Sequence, residues 1–189
     1  VNAAGGNIAG AVLMDLDALL DMSTGDFRNV VDLNLAGTVL PIREFARPMA
    51  DAGRGSIINF SSMAAYSPMT RSMGYAAAKA GIDNITKFLA VHFAQADLPG
   101  IRVNAVAPGF FLGEQNRALL TNPDGSPTAR GQLVLDGTPF GRFGERPARR
   151  IRQVFRHRVL APGIVLSGPA HVFSVVRPRA LKPGRAFPI

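Results

Sequence analysis

The chain has 189 residues, enough to bury one substantial core, so a single domain is expected. Apolar residues make up 47% and charged residues 18%, with no apolar run of membrane-spanning length, and the lack of cysteine excludes disulfides and thiolate metal sites. The formal net charge of +8 is uneven: residues 1–144 carry 11 basic and 12 acidic groups, residues 145–189 carry 10 and 1, so the basicity belongs to the tail.

The start, VNAAGGNIAG, lacks the charged head and long apolar core of a signal peptide, which points to a cytoplasmic protein. Val1 stands at what reads as the end of a strand, so the chain is expected to be a piece of a longer one. Ser23-Thr24-Gly25-Asp26 resembles a capping box with Asp in place of Glu, and Phe27, Val30, Val31, Leu33, Leu35, Val39 and Leu40 follow at helical spacing. The pattern predicts a helix over 24–50, bent near Pro41 and stopped by the Asp51-Ala52-Gly53 turn.

GSIINF, residues 55–60, predicts a strand buried on both faces, followed by a loop over 63–71. The alanine run and the spacing of Ile82, Ile85, Leu89 and Phe93 predict a second long helix over 72–95. IRVNAVAPG, residues 101–109, reads as a strand broken by Pro108-Gly109, and residues 110–140 as a loop with one short helix covering the site. Beyond Glu145 the chain turns rich in Arg and Pro, and no sustained period marks a strand or helix.

This alternation predicts an α/β fold: part of a Rossmann-type, doubly wound parallel sheet in three α/β/α layers. Right-handed crossovers bring NAAGGN, Ser61-Ser62 and Pro108-Gly109 to the carboxyl ends of neighbouring strands, the edge where such sheets bind ligands.

Tyr75 and Lys79 are four residues apart, so on a helix they share one face. An ammonium beside a phenol favours the phenolate, which can exchange a proton with an alcohol or carbonyl. With 2 tyrosines, 3 lysines and 18 arginines in the chain, chance yields such a pair about 3% of the time; a compact lysine stands where composition favours arginine. Ser62, after the buried strand, can donate a hydrogen bond to a substrate oxygen, although alone it reads as a strand-end serine. Asn34 lies in an apolar helical stretch and must be paired, as a structural amide or a functional one.

Taken together these residues resemble the short-chain dehydrogenase/reductase family. NAAG at 2–5, Asn34 in mid-helix, Ser62 thirteen residues before Tyr75, Tyr75-x-x-x-Lys79, and Asn104 with Pro108-Gly109 match its motifs in order over residues 1–110. VNAAGGN, VVDLNLAGTVLP, SIINFSSM, RVNAVAPGFF, GEQNRALLT and TPFGRFGE further resemble the branch of D-mannonate oxidoreductases, or fructuronate reductases, over residues 1–145.

The resemblance implies a nicotinamide-dependent oxidoreductase interconverting a secondary alcohol and a ketone, on a sugar acid such as D-mannonate or D-fructuronate. Tyr75 would be the general acid/base, with Lys79 favouring its phenolate and holding the nicotinamide ribose. Ser62 would orient the substrate oxygen, and Asn34 would position Lys79 through a water-linked relay. Asn2, Ala3, Ala4 and Gly5 would face the adenosine ribose, and Pro108, Gly109 and Phe110 the nicotinamide. Met63, Arg71, Phe111 and Arg117 would line the substrate site, the arginines for a carboxylate; both also read as solvated surface groups. No metal is implied. The complete protein would be a homo-oligomer, dimer or tetramer, without membrane or nucleic-acid partners.

The family's glycine-rich pyrophosphate turn is expected about eighty residues before the NAAG segment, and with it the choice between NAD and NADP. After Glu145 the family's acidic helix and Val-Asp-Gly-Gly close are replaced by RPARRIRQVFRHR, so residues 146–189 are expected to be a frame-shifted or disordered tail. Two other readings stand: a non-catalytic assembly module, and a nucleic-acid-binding arm built on the clustered arginines, with only Phe155 to stack on a base.

Overall fold

The computed structural model describes residues 1–3, 5–67, 71–138 and 141–144, with the backbone of 165–167 and 174–176. Ala4 and the rest of the expected tail lie outside the described residues.

Two parallel strands carry the fold. Strand β1 (Gly55–Phe60) and strand β2 (Ile101–Ala107) pair in register from Gly55 opposite Ile101 to Phe60 opposite Val106. Asn2 extends the sheet beyond β1 in parallel, its N–H donating to the Ile58 carbonyl and its own carbonyl accepting from the Phe60 N–H. Beyond β2 come two short strands, β3 (Val165–Ser167), parallel to β2, and β4 (Ser174–Val176), antiparallel to β3. Neither was expected: three apolar or small residues are too few to show a period. The result is a partial three-layer α/β/α sheet.

A short helix α1 (Leu16–Leu20) precedes helix α2 (Thr24–Val31), which starts where expected, the Ser23 hydroxyl accepting from the Asp26 N–H. The helix expected over 24–50 is continuous but not uniform. Residues Asp32–Ala36 form a π turn, and helix α3 (Gly37–Asp51) then runs through Pro41 and Pro48. The π turn is centred on Asn34, whose amide takes the Val30 carbonyl at 2.8 Å, so that the ladder widens around the inserted side chain.

Helix α4 (Met73–Gln95) packs with α3 on one face of the sheet, around Ile42, Ile57, Ala90, Phe93, Ile101 and Val103. Burying aliphatic side chains such as Ile82, Ile101 and Val103 stabilises the fold by about 1.5–3 kcal/mol each. β1 departs from the expected burial on both faces: Ile57 and Asn59 are buried, whereas Ser56 is exposed. The small residues of α4 let the π turn approach it closely. At Gly81 a Cβ would meet the Leu35 side chain at 3.2 Å, so this position helps bring Asn34 beside Lys79.

In place of one short helix, residues 110–140 hold two, α5 (Glu114–Leu120) and α6 (Ala129–Asp136). Thr128 caps α6 by accepting from the Gly131 N–H, a signal of the kind used at Ser23.

Candidate active site

Because Asn2, β1 and β2 run parallel, the residues that follow them emerge at one edge: the NAAG segment, Ser61-Ser62, and Pro108 to Phe111. The N-terminal turns of α4 cross behind this edge and bring Tyr75 and Lys79 to it. Tyr75 is half-buried, while Lys79 is only 4% exposed.

The Lys79 ammonium lies 5.4 Å from the centre of the Tyr75 ring and donates to the Phe60 carbonyl at 2.8 Å. An ammonium has three protons, so two remain for other acceptors. Burial lowers the pKa of Lys79, and the carboxylate of Asp83, one turn further along α4, opposes that shift.

Asn34 is wholly buried and fully paired. Its amide donates to the Gly6 and Val30 carbonyls at 2.7 and 2.8 Å, its side-chain oxygen accepts from the Gly6 N–H at 3.1 Å, and its own carbonyl accepts from the Thr38 hydroxyl at 2.8 Å. Its side chain is thus a clamp on the NAAGG loop. Gly5, at φ +153°, lies under the same roof: a Cβ there would come within 2.5 Å of the Asn34 side-chain oxygen and 3.3 Å of the Lys79 ammonium.

Ser62 caps a single 3₁₀ turn, Met63–Ala65, its hydroxyl accepting from the Ala64 N–H at 3.2 Å. Its neighbour Ser61 is buried and donates to the Lys79 carbonyl at 3.3 Å, tying the serine segment to the lysine helix. After β2, the Phe110 carbonyl accepts from the Gly144 N–H, and Phe111 bridges to Gly144, whose missing side chain makes room for the aromatic ring.

The substrate candidates divide. Met63 and Phe111 stand beside the strand-end segments. Arg71, exposed and held at φ +71°, accepts from the Leu13 N–H through its carbonyl just before α4. Arg117 lines, with Glu114 and Arg142, an open cavity of about 740 Å³ between α5 and residues 141–144, whose lining includes neither Ser62 nor Tyr75. Among the described residues no three His, Asp or Glu side chains converge as for a metal, and no helix is long and apolar enough to cross a membrane.

Other polar groups of the site were not anticipated. Asn59, wholly buried in β1, accepts from the Asn2 amide at 2.9 Å and donates to the Thr86 hydroxyl at 3.0 Å, which donates to the Ile82 carbonyl at 2.7 Å. A lone amide within the apolar run GSIINF was the available signal, since such a group must find partners. Asp83, 5% exposed, was legible as the next i+4 step after Tyr75 and Lys79.

Residues 1–123 match the short chain dehydrogenase family. The oxidoreductase UxuB of Bacillus subtilis (strain 168), itself uncharacterized, is 44% identical over 154 residues, which are 77% of this chain and 54% of that protein. A solved structure of a candidate D-mannonate oxidoreductase from Haemophilus influenza, with bound NAD, is 38% identical at a TM-score of 0.74, over 89% of this chain and 64% of that one. A candidate gluconate dehydrogenase from Agrobacterium tumefaciens is 30% identical at a TM-score of 0.64, over 76% and 51%. The chain spans about half the length of the curated relatives it matches. With the family's ordered motifs at one sheet edge and its match over residues 1–123, the chain belongs to the short-chain dehydrogenases.

Proposed function

We propose that the protein containing this chain is an NAD- or NADP-dependent oxidoreductase that interconverts a secondary alcohol and a ketone on a sugar acid. The observation that carries this reading is the joining of three groups at one edge: Tyr75 and Lys79 on one face of α4, and Ser62 on the strand end that Ser61 ties to the Lys79 carbonyl. The residues fit a nicotinamide ribose: the Lys79 ammonium stands beside the Gly5 backbone and, among the described residues, gives only one of its three protons, to the Phe60 carbonyl. The nicotinamide, when bound, supplies the hydride acceptor or donor. Tyr75 exchanges the proton of the substrate oxygen, Ser62 donates a hydrogen bond to that oxygen, and Lys79 favours the phenolate and holds ribose hydroxyls. Asn34 acts by clamping the Gly5-Gly6 loop against Lys79.

The sugar-acid substrate is supported by the similarity to the candidate D-mannonate oxidoreductase and gluconate dehydrogenase. The test is turnover of the protein with D-mannonate, D-fructuronate, D-gluconate and simple secondary alcohols, each with NAD and NADP, followed by nicotinamide absorbance. Turnover of a sugar acid at least tenfold above that of the simple alcohols is expected; turnover of the alcohols alone would remove the sugar acid and leave the oxidoreductase.

A homo-oligomer belongs to the same reading, supported by exposed apolar side chains on α3 and α4: Leu40 and Phe45 on one, Phe88 and Val91 on the other. The same side chains favour a non-catalytic assembly module as the second reading. An oligomer by sedimentation equilibrium with no turnover on any of the alcohols or acids would favour it. We further propose that residues 1–145 are the dehydrogenase unit and that 146–189 are an atypical Arg/Pro-rich tail, supported by the change in charge and composition at Glu145, with the short strands β3 and β4 of that tail continuing the sheet.

A further inference from the structure

Helix α4 begins irregularly, and both irregular residues stand just before Tyr75 in the chain. Arg71 is held at φ +71°, the left-handed region, which a residue with a side chain enters at a cost and glycine does not. Ser72 occupies the N-cap, yet its hydroxyl accepts no N–H from the helix, unlike Ser23 before α2 and Thr128 before α6. Instead it accepts from the Asn7 amide at 3.3 Å. Departures from local rules that cluster in this way are expected at functional sites.

Their surroundings place these residues at the candidate site. Asn7 follows the Gly5-Gly6 pair that Asn34 clamps, and a Cβ at Gly5 would lie 3.3 Å from the Lys79 ammonium. The Asn7–Ser72 bond therefore joins the loop beside Lys79 to the residues that lead into Tyr75. The Leu13 N–H, donating to the Arg71 carbonyl at 3.1 Å, ties the segment after that loop to the same place.

Hydrogen-bond capacity is left over. The Arg71 side chain is exposed and takes part in no hydrogen bond or ion pair among the described residues. The Asn7 side-chain oxygen accepts from the Ile8 N–H at 3.1 Å, but one proton of its amide and the Ser72 hydroxyl proton are uncommitted among these residues. What remains is a group of donors carrying one full positive charge, the complement of an oxygen-rich anion.

We propose that Arg71 is a specificity-determining residue that pairs with the carboxylate of the substrate, and that the Asn7 amide and Ser72 hydroxyl donate to substrate oxygens beside it. The left-handed backbone at 71 then has a use, since it fixes the direction in which the guanidinium stem leaves the chain. Arg117, the other arginine considered for a carboxylate, lines a cavity that includes neither Ser62 nor Tyr75. The inference rests on the sugar-acid reading of the function and supplies the residues that reading requires.

Binding tests it without turnover. D-mannonate and D-gluconate, as alcohols, cannot react with NADH or NADPH, so their dissociation constants can be measured calorimetrically in the protein containing this chain with reduced cofactor bound. The controls are D-mannitol and D-glucitol, which carry a hydroxymethyl group in place of the carboxylate. Arg71→Gln is expected to lower the preference for acid over polyol about tenfold or more, and Arg71→Lys to keep part of it. Arg71→Gly, which adopts φ +71° without strain, should lose the preference as fully as Arg71→Gln, so that backbone and charge are separated. A preference retained in both variants overturns the proposal, and so does a parent that prefers neither acid. Turnover of D-mannonate with the preference unaltered in the variants would leave the sugar-acid reading standing without Arg71, whereas turnover of simple alcohols alone would leave only the oxidoreductase. Ser72→Ala should weaken acid and polyol alike by a few-fold, and binding at the parental strength would overturn the part assigned to the Asn7–Ser72 pair.

Discussion

Lys79 has a carbonyl for one of its protons and a phenol ring within cation–π distance, so its ammonium is held in place by two different kinds of group while burial lowers its pKa. Asn34 differs from it: every hydrogen bond of its side chain ends on backbone, and its contribution is to fix the Gly5-Gly6 loop in front of the ammonium. Tyr66 carries the pH signature of this region. Partial burial, and then the neighbouring Asp83 carboxyl, raise its pKa above that of an ordinary phenol. The folded chain therefore keeps a proton that the unfolded chain releases, and the stability this supplies below pH 10 is lost as pH rises beyond it. Tyr66→Phe removes that titration. Urea midpoints measured near pH 9 and near pH 11 should fall less in the variant than in the parent, and equal falls would count against a raised Tyr66 titration.

At the scale of elements, what depends on near neighbours was readable. The i+4 spacing of Tyr75 and Lys79, the alanine-rich helix, and the two strands 55–60 and 101–107 all follow from local pattern and appear within a residue or two. The π turn was not readable, because it exists where Asn34 reaches Gly6, 28 residues earlier, and no local pattern encodes that contact. Proline marked residue 41 in the sequence, and α3 continues through it. The polar chain from Asn2 through Asn59 to Thr86 was missed for the same reason, since its members lie 57 and 27 residues apart. That chain yields a stability prediction. Thr86→Val keeps the shape but leaves the Asn59 amide without its acceptor, and should cost about 1–3 kcal/mol by denaturant unfolding, with Thr86→Ser costing less. A valine variant as stable as the parent would show that the bond between β1 and α4 contributes nothing.

For the whole molecule, parallel strands decide where function sits. They place the ends of Asn2, β1 and β2 side by side, and α4 then needs only its first two turns to present Tyr75 and Lys79 to that edge. Residues 1–123 match the short-chain dehydrogenases, and Asn34, Ser62, Tyr75 and Lys79 all lie within that stretch. The most direct measurement is hydride transfer by Tyr75→Phe in the protein containing this chain, with reduced-cofactor binding followed in parallel. Cofactor binding within a few-fold of the parent, with kcat lowered about 10²–10⁴-fold, is the result expected if Tyr75 exchanges the proton. Turnover at the parental rate would contradict it.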